Sequence, residues 1–236
     1  MTELLYQTDS YLRQFEAVVT ETIEMGVVLD RTAFFPGGGG QPNDTGWLGI
    51  DGQHRPVVQV NRHKGQIVHQ LDQPLPPVGA TITGILDWDR RYALMRTHTA
   101  MHILCGVVWR DYGASVTGGN MKPFQGRMDF EFERMRKELV KEIEEKINVE
   151  VSAARPISLR ILPRDEAFQI PDLIRTKINL LPTHIEDVRV VEIEGLDLQA
   201  DGGTHVSNTN EVGKLHIVDY KSKGRINKRL VVALES

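Results

Sequence analysis

The segment THTAMHIL (residues 97–104) predicts a buried helix that carries two histidines, His98 and His102, four residues apart. Side chains at this spacing lie one helical turn above each other, so both imidazoles can reach one metal ion. Two ligands leave a tetrahedral ion half coordinated. About a hundred residues later, Asp201 and His205 are again four residues apart. All four side chains together would complete a tetrahedral set, whereas three of them would leave the fourth position to water.

A pair of histidines at this spacing also occurs by chance, as a satisfied core histidine beside a surface one. The third histidine follows the glycine turn Gly202-Gly203, where backbone can approach a ligand closely, and it favours the metal site. The pair resembles the HExxH signature of zinc peptidases, but Thr99 stands where that signature has its general-base glutamate. A peptidase of this class is therefore not expected.

The composition predicts a soluble globular protein. Among the 236 residues, 40% are hydrophobic and 25% are charged, and no apolar run approaches the length of a membrane span. The net charge of -4 argues against a protein that coats nucleic acid through its overall field. The N-terminus lacks the features of a signal peptide, and a single cysteine, Cys105, permits no internal disulfide, so a cytoplasmic location is expected.

Two domains are expected, with a boundary near Asp87. Residues 1–86 contain short apolar and alternating runs between turn signals, which predict a small β-rich, barrel-like domain. In residues 87–236 strands and helices come in mixed order without regular βαβ alternation, which predicts an α+β domain.

The second half is expected to contain helices over 87–106 and 133–147, the latter burying Met135, Leu139, Ile143 and Ile147. RMDFEFE and the residues before it predict turns and one strand. The patterns further predict a strand over 149–163, helical pieces over 163–170 and 171–178, a strand over 188–195, and two final strands around a basic turn.

The glycine-rich segment GGGGQPNDTG (residues 37–46) matches neither a Walker A loop nor a dinucleotide fingerprint. It can be a flexible hairpin turn. Because Phe34-Phe35-Pro36 precedes it directly, it also suits a backbone that lies against a ligand or a neighbouring domain.

A cluster of five basic residues interrupts the acidic chain within nine positions. Basic turns between strands commonly block edge pairing. Alternatively, these side chains contact phosphates of RNA. Both explanations stay open for Lys221, Lys223, Arg225, Lys228 and Arg229.

Four motifs, taken in order, resemble the AlaX family of alanyl-tRNA editing proteins, which are free-standing relatives of the editing domain of alanyl-tRNA synthetase. The motifs are RTAFFPGGGGQPNDTG, THTAMHIL, RMDFEFE and LQADGGTHVSNTNEVGKLHIVDYKSKGRINKRL. They span nearly the whole chain, and the glycine-rich motif implies the longer type of AlaX. The resemblance implies a β-barrel-like domain followed by an α+β editing domain with an antiparallel sheet. It implies hydrolysis of serine, and sometimes glycine, from tRNA(Ala).

The zinc motif of this family is HxxxH followed by CxxxH. His98, His102 and His205 match it, but Asp201 stands at the cysteine position. A carboxylate is an acceptable zinc ligand, yet it lacks the preference of a thiolate for zinc. One zinc ion, another divalent ion and a metal-free site therefore remain alternatives. Cys105 does not fit the motif.

The resemblance places Thr32 near the substrate pocket, where it is expected to pair with the serine hydroxyl. A site built to form that hydrogen bond loses it when alanine enters. Gln41 is expected to be a second polar contact at the catalytic site, and Asp44 to fix the turn. Further substrate contacts are expected from Gly38, Gly39, Gly40 and Gln199.

Hydrolysis of an aminoacyl ester needs mainly a positioned water and a stabilised oxyanion. A metal would activate the water or anchor the substrate. The five basic residues would hold phosphates of the tRNA acceptor end. Two alternatives remain: a degenerate, metal-free tRNA-binding homologue without catalysis, and a metallohydrolase that acts on another ester or amide.

Overall fold

The computed structural model describes residues 2–178, 181–183 and 185–235. The chain divides into two compact units, Met1–Ala93 and Leu94–Ser236. Both contain antiparallel sheets, and the predicted α+β class is confirmed. The first unit ends inside a long helix, α1, that begins at Trp88. The domain division after residue 86 stays a prediction.

The first unit is built on a curled, seven-stranded antiparallel sheet, so the expected barrel-like domain is an open half-barrel. The strands are β1 (Glu3–Leu4), β2 (Gln14–Ile23), β3 (Gly26–Leu29), β4 (Arg31–Thr32), β5 (Gly46–Ile50), β6 (Gln53–Val57), β7 (Gln59–His63), β8 (Gln66–Gln70) and β9 (Thr81–Leu86). Their order in the sheet is β6-β5-β9-β2-β3-β8-β7, and β1 and β4 form a separate parallel pair.

The core of the first unit lies on one face of this sheet. In β2, Phe15, Ala17 and Val19 are buried while their neighbours are exposed, because alternate residues of a strand point to opposite faces. Leu48 of β5 and Ile82 of β9 join the same cluster. The period-two pattern of the sequence therefore corresponds to the core-facing side of the sheet.

The second unit combines two antiparallel sheets with helices. Its helices are the remainder of α1 (Trp88–Tyr112), α2 (Lys137–Ser152) and α3 (Arg164–Ala167), with a short 3-10 helix over Thr209–Val212. Its strands are β10 (Val116–Lys122), β11 (Gln125–Glu131), β12 (Ile157–Pro163), β13 (Asp187–Ile193), β14 (Asp197–Ala200), β15 (Leu215–Ser222) and β16 (Asn227–Leu234). The sheet orders are β10-β11-β16-β15 and β12-β13-β14.

Two glycines let α1 pack closely against both sheets. A Cβ added at Gly126 of β11 would lie 2.7 Å from the sulfur of Met101, and one at Gly106 of α1 would lie 2.9 Å from Cγ of Leu196. Neither approach leaves room for a side chain. The turn between β13 and β14 is thus held against α1, beside the histidine pair.

Both predicted helices form, but with different bounds. The first continues beyond residue 106 to Tyr112, since Val107 and Val108 extend its buried face. The second begins at Lys137, so Met135 precedes it, and it buries Val140 rather than Leu139. Ile143 and Ile147 are buried as predicted.

Three further expectations from the sequence were wrong in part. Residues 149–152 end α2 instead of opening a strand, because Val151 continues the buried stripe at helical spacing; only Ile157–Pro163 is extended. Two strands, β10 and β11, form where one was expected. Residues 171–178 form no helix, since the backbone around Arg175 pairs with Val116 of β10.

The short helix within 163–170, the strand within 188–195 and the two final strands are confirmed. Among the described residues, no helix combines the length and apolar character needed to cross a membrane.

Candidate metal centre

Four side chains of the second unit converge on one point. They are His98 and His102 of α1, Asp201 directly after β14, and His205, and each offers one ligand atom within 4.8 Å of the others. It is the single group of this kind in the part of the chain that the structure describes. The structure thus brings together the four residues that the spacing in the sequence predicted as metal ligands.

The three imidazoles pack tightly against one another. The rings of His98 and His205 are stacked with centroids 4.2 Å apart, and His102 meets both rings edge-on. All three histidines are buried. Helical spacing sets the first pair, and the turn after β14 brings His205 to it.

Two neighbouring groups orient the histidines. Nδ1 of His102 lies 3.0 Å from Oδ2 of Asp197, which leaves Nε2 as the nitrogen that can ligate a metal. Nδ1 of His205 lies 3.1 Å from the hydroxyl of Thr99, while Nε2 lies 3.0 Å from Oδ2 of Asp201. Thr99, which occupies the place of the peptidase glutamate, therefore positions His205.

Asp201 is held in place by its own loop and by Arg189. Its Oδ2 accepts a hydrogen bond of 2.8 Å from the backbone N–H of Gly203. Nη1 of Arg189 donates to the backbone carbonyl of Asp201 at 3.0 Å. The other carboxylate oxygen, Oδ1, lies 3.6 Å from Nε2 of His98. The carboxylate therefore faces the imidazoles.

The protonation states of His98, His205 and Asp201 suit metal ligation. Burial lowers the pKa of His98 to about 4 and also lowers the pKa of His205 well below its usual value. For Asp201, burial opposes ionisation, but His98 and the hydrogen bond with His205 hold its pKa well below the usual range. Neutral imidazoles and an ionised carboxylate are the forms that bind a metal ion. The donor set thus fits one divalent ion.

His102 differs from the other two histidines. Burial lowers its pKa, but the hydrogen bond and the charge of Asp197 outweigh burial, so its pKa is raised. A raised pKa reflects a stronger base, and a ligating histidine is commonly made more basic by a carboxylate at its second nitrogen.

Gln199 lies on β14 but binds Asp197 rather than facing open space. Its Nε2 donates to Oδ2 of Asp197 at 2.6 Å and lies 3.4 Å from the sulfur of Cys105. Burial raises the pKa of the Cys105 thiol well above its usual value. Cys105 is not among the residues whose ligand atoms converge on one point, so it does not replace the cysteine of the family motif.

Sequence reasoning missed Asp197 and Arg175. Nε of Arg175 lies 3.6 Å from Oδ1 of Asp197, and its guanidinium stacks on the ring of Trp109. Neither Nε of Arg175 nor Oδ1 of Asp197 has a hydrogen-bond partner among the described residues. The signal was weak, since an acidic residue four positions before Asp201 has no pattern of its own.

Thr32 and Gln41, which were expected to contact substrate, are buried in the first unit. The hydroxyl of Thr32 lies 2.8 Å from Nε2 of His69 and accepts a hydrogen bond of 3.1 Å from the backbone N–H of Phe34. The backbone of Gln41 pairs with Gly38 in both directions. Their contact with substrate stays a prediction.

The glycine-rich loop owes its composition to backbone conformation. Gly38, Gly39 and Gly40 all have positive φ, a conformation that other residues rarely adopt. A Cβ added at Gly38 or Gly39 would meet no atom of the described chain within 4 Å. Within the first unit, positive φ rather than close approach therefore requires glycine at these two positions.

Asp44 fixes the loop, as expected. Its Oδ2 accepts a hydrogen bond of 2.6 Å from the backbone N–H of Phe35. Its carboxylate also forms a fully buried ion pair with Arg91, whose guanidinium donates to the backbone carbonyls of Ser10 and Ala33. Burying this pair is tolerated because nearly all of its hydrogen bonds are made.

The five basic residues near the C-terminus do not act as one surface. Lys228 is buried, and its ammonium donates to the carbonyls of Gly224 and Arg225. Arg229 forms two hydrogen bonds with Asp129, and Lys221 pairs with Asp219. Lys223 and Arg225 are exposed. The prediction that all five contact phosphates stays a proposal.

Comparisons with known proteins agree with this architecture. A family described as "tRNA synthetases class II (A)" matches residues 7–90, and one described as "Threonyl and Alanyl tRNA synthetase second additional domain" matches residues 188–231. The alanyl-tRNA editing protein AlaX-M of Saccharolobus solfataricus is 41% identical over 98% of both chains. AlaX-M of Methanosarcina acetivorans is 39% identical over 99% of both chains. Alanine–tRNA ligase of Pyrococcus furiosus is 37% identical over 92% of this chain and 24% of the ligase. The chain therefore belongs to the AlaX family of alanyl-tRNA editing proteins.

Proposed function

We propose that this protein hydrolyses the ester bond between serine and tRNA(Ala), with glycine as a second amino acid that it removes. The observation that supports this most directly is the cluster of three buried histidines, His98, His102 and His205, with the partly buried Asp201. The four ligand atoms lie within 4.8 Å of one another, and Arg189, 3.8 Å from the Asp201 carboxylate, balances part of that charge. RNA binding alone does not require four donor atoms directed at one point, so the cluster favours a metal-dependent hydrolase over a metal-free RNA-binding homologue.

We propose zinc as the ion. Three imidazole nitrogens and one carboxylate oxygen form an accepted zinc set, although oxygen gives less selectivity than sulfur. A divalent ion held by these side chains would supply Lewis acidity toward an ester carbonyl or a water molecule. Hydrolysis breaks the bond from the acyl carbon to the ribose oxygen, adds hydroxide to the acyl carbon and returns a proton to that ribose oxygen.

The protein's own side chains prepare the site. Asp197 and Thr99 fix the second nitrogens of His102 and His205, so the ligand atoms are held before substrate arrives. Preorganised groups avoid the cost of reorientation during the reaction. Gln199 supports this arrangement through Asp197, and we propose for it a positioning role beside the substrate contact expected from the sequence.

We propose Thr32 as the residue that recognises the serine hydroxyl, with Gln41 as a second polar contact. Nδ1 of His69 lies 3.4 Å from the carbonyl of Val27, which makes Nε2 the acceptor of the Thr32 hydroxyl proton. The oxygen of Thr32 then accepts from Phe34 and retains one acceptor position. A serine hydroxyl can donate to that position, whereas alanine cannot.

The proposal is tested by deacylation of Ser-tRNA(Ala), Gly-tRNA(Ala) and Ala-tRNA(Ala), with metal content measured on the same samples. The unchanged protein should release serine and contain one ion per chain, and His98→Ala should lose both. His216→Ala is the matched control, since His216 lies on β15 outside the cluster. Failure of the unchanged protein to release serine with any added divalent ion would refute the proposal. Turnover of small esters without tRNA would instead support a general metallohydrolase.

A further inference from the structure

A cavity of about 460 Å³ lies beside the basic turn of the last hairpin, in the second unit. Its volume is within the range of sites that bind small ligand groups. Two chain segments that are distant in sequence supply most of its wall. The side chains relevant to recognition are Glu133, Arg134, Arg136, Tyr220, Arg225 and Lys228.

This cavity is strongly cationic. Four basic side chains line it, against the single carboxylate of Glu133. Arg134, Arg136 and Arg225 are exposed, and their guanidinium groups form neither ion pairs nor hydrogen bonds with residues 2–178, 181–183 or 185–235. Three unneutralised guanidinium groups around one cavity repel one another unless an anion binds between them.

The two segments that carry these arginines are anchored differently. Lys228 is buried, and its ammonium donates to the carbonyls of Gly224 and Arg225, so it fixes the turn that presents Arg225. Arg136 is the residue directly before α2, where no side chain caps the first turn. The uncapped N–H groups and the positive end of the helix dipole add to the attraction for an anion.

An aromatic ring completes the pocket. Tyr220 lines the same cavity and is 40% exposed, in contrast to a core tyrosine. Nucleic-acid sites commonly combine cationic grooves with aromatic rings on which a base stacks. A free inorganic anion cannot stack on an aromatic ring, so the combination of cationic groups and Tyr220 favours a nucleotide of an RNA chain.

We propose that the pocket formed by Arg134, Arg136, Arg225 and Tyr220 binds a backbone phosphate of tRNA, with an adjacent base stacked on Tyr220. Guanidinium groups match phosphate oxygens through paired hydrogen bonds. The inference rests on the proposed function, because that function makes tRNA the partner. Arg134 and Arg136 lie outside the basic run in the sequence, so the fold alone brings them to Arg225.

Binding of uncharged tRNA(Ala), measured by fluorescence anisotropy over a series of salt concentrations, tests the pocket. The double variant R134A/R136A and the single variant R225A should each bind at least about tenfold more weakly than the unchanged protein. Loss of one phosphate contact should reduce the slope of log K against log salt by about one. Arg134→Lys with Arg136→Lys should keep the salt slope while losing part of the affinity.

Arg160→Ala is the matched control. Arg160 is an exposed arginine of the same unit that pairs with Glu192 on the three-stranded sheet. Its replacement should leave affinity and slope unchanged. The three pocket arginines lack partners to lose, so their variants should unfold at the same temperature as the unchanged protein.

Two results would overturn the inference in distinguishable ways. If the unchanged protein binds tRNA and the pocket variants bind it equally well with the same salt slope, the assignment of the pocket as a phosphate site is wrong. The proposed function is then unaffected. If the unchanged protein does not bind tRNA, both the assignment of the pocket and the proposed tRNA substrate are wrong. Because the tRNA carries no amino acid, failure of ester hydrolysis does not affect the binding result.

Discussion

Oδ2 of Asp197 lies 3.0 Å from Nδ1 of His102, and Oδ1 of the same carboxylate faces the guanidinium of Arg175. Asp197 thus links the partly buried Arg175 to the candidate metal centre. It fixes the tautomer of His102 by accepting its Nδ1 proton, and this leaves Nε2 as the nitrogen that can bind a metal ion. The fully buried position of the carboxylate makes the link sensitive to loss of charge.

Asp197→Asn is expected to weaken metal binding about 10- to 100-fold. An uncharged amide leaves the His102 imidazole a weaker base, and therefore a weaker metal ligand, than the carboxylate does. Competition with a chromophoric chelator measures the change directly. Asp219→Asn, which alters an exposed carboxylate of the same unit, is the control and should bind the metal normally. Equal affinity in Asp197→Asn and the unchanged protein would show that the hydrogen bond does not position the ligand.

Asp201→Cys should increase preference for zinc over magnesium or manganese. A thiolate replaces a hard oxygen donor, and soft donors select zinc. Cobalt-loaded protein should gain a thiolate-to-cobalt absorption band, and Asp201→Ala should lose affinity for all the ions. If the cysteine variant gains neither the band nor zinc preference, position 201 does not ligate the ion.

His69 should make the first unit less stable at acidic pH. Burial lowers its pKa to about 4, below the usual value of 6.5, so the folded state binds this proton less readily than the unfolded state. The resulting loss of stability begins as pH falls below about 6.5 and approaches about 3 kcal/mol near pH 4.

Denaturant unfolding of the unchanged protein and His69→Gln, between pH 7 and pH 4, measures this effect. The free-energy difference between the two should shrink as pH falls, because glutamine does not titrate. His63→Gln is the control, since it makes the same substitution at an exposed histidine of the same unit. A constant difference for His69→Gln would contradict the assignment.

The buried pair of Asp44 and Arg91 should show strong coupling. Removing one partner, as in Asp44→Asn, leaves the other charge buried and should cost about 3–5 kcal/mol of unfolding free energy. The double variant Asp44→Asn with Arg91→Met should lose less than the sum of the single variants. Unfolding free energies for the four proteins decide this, and additive losses would mean that the two residues do not stabilise the loop together.

The sequence predicted that His98, His102, Asp201 and His205 come together, because helical spacing and a glycine turn are local signals. His98 and His102 needed only the period of α1, and His205 with Asp201 repeated the same spacing. The contacts that orient these residues, such as the one between Asp197 and His102, depended on tertiary packing. Asp197 reaches His102 because Gly106 lets the turn before β14 approach α1, a relationship between distant residues that no local pattern encodes.

The element boundaries and the five basic residues show the same contrast between local patterns, which the sequence reveals, and tertiary contacts, which it does not. Residues 149–152 alternate like a strand, yet Val151 prolongs the stripe of Val140, Ile143 and Ile147 on α2. The basic run left a blocked strand edge and phosphate contacts as alternatives for all five residues, whereas strand alternation in β16 buries Lys228 and turns Arg229 toward Asp129. Charge could be counted from the sequence, whereas the partners of each charge required the fold.

The most direct test of the central claim is the rate at which metal-stripped protein, titrated with zinc, releases serine from Ser-tRNA(Ala). The rate should rise with occupancy and level off at one ion per chain, while Ala-tRNA(Ala) remains intact and His98→Ala stays inactive at every zinc concentration. The same rate without metal, or no release of serine at full occupancy, would contradict a metal-dependent editing site at His98, His102, Asp201 and His205.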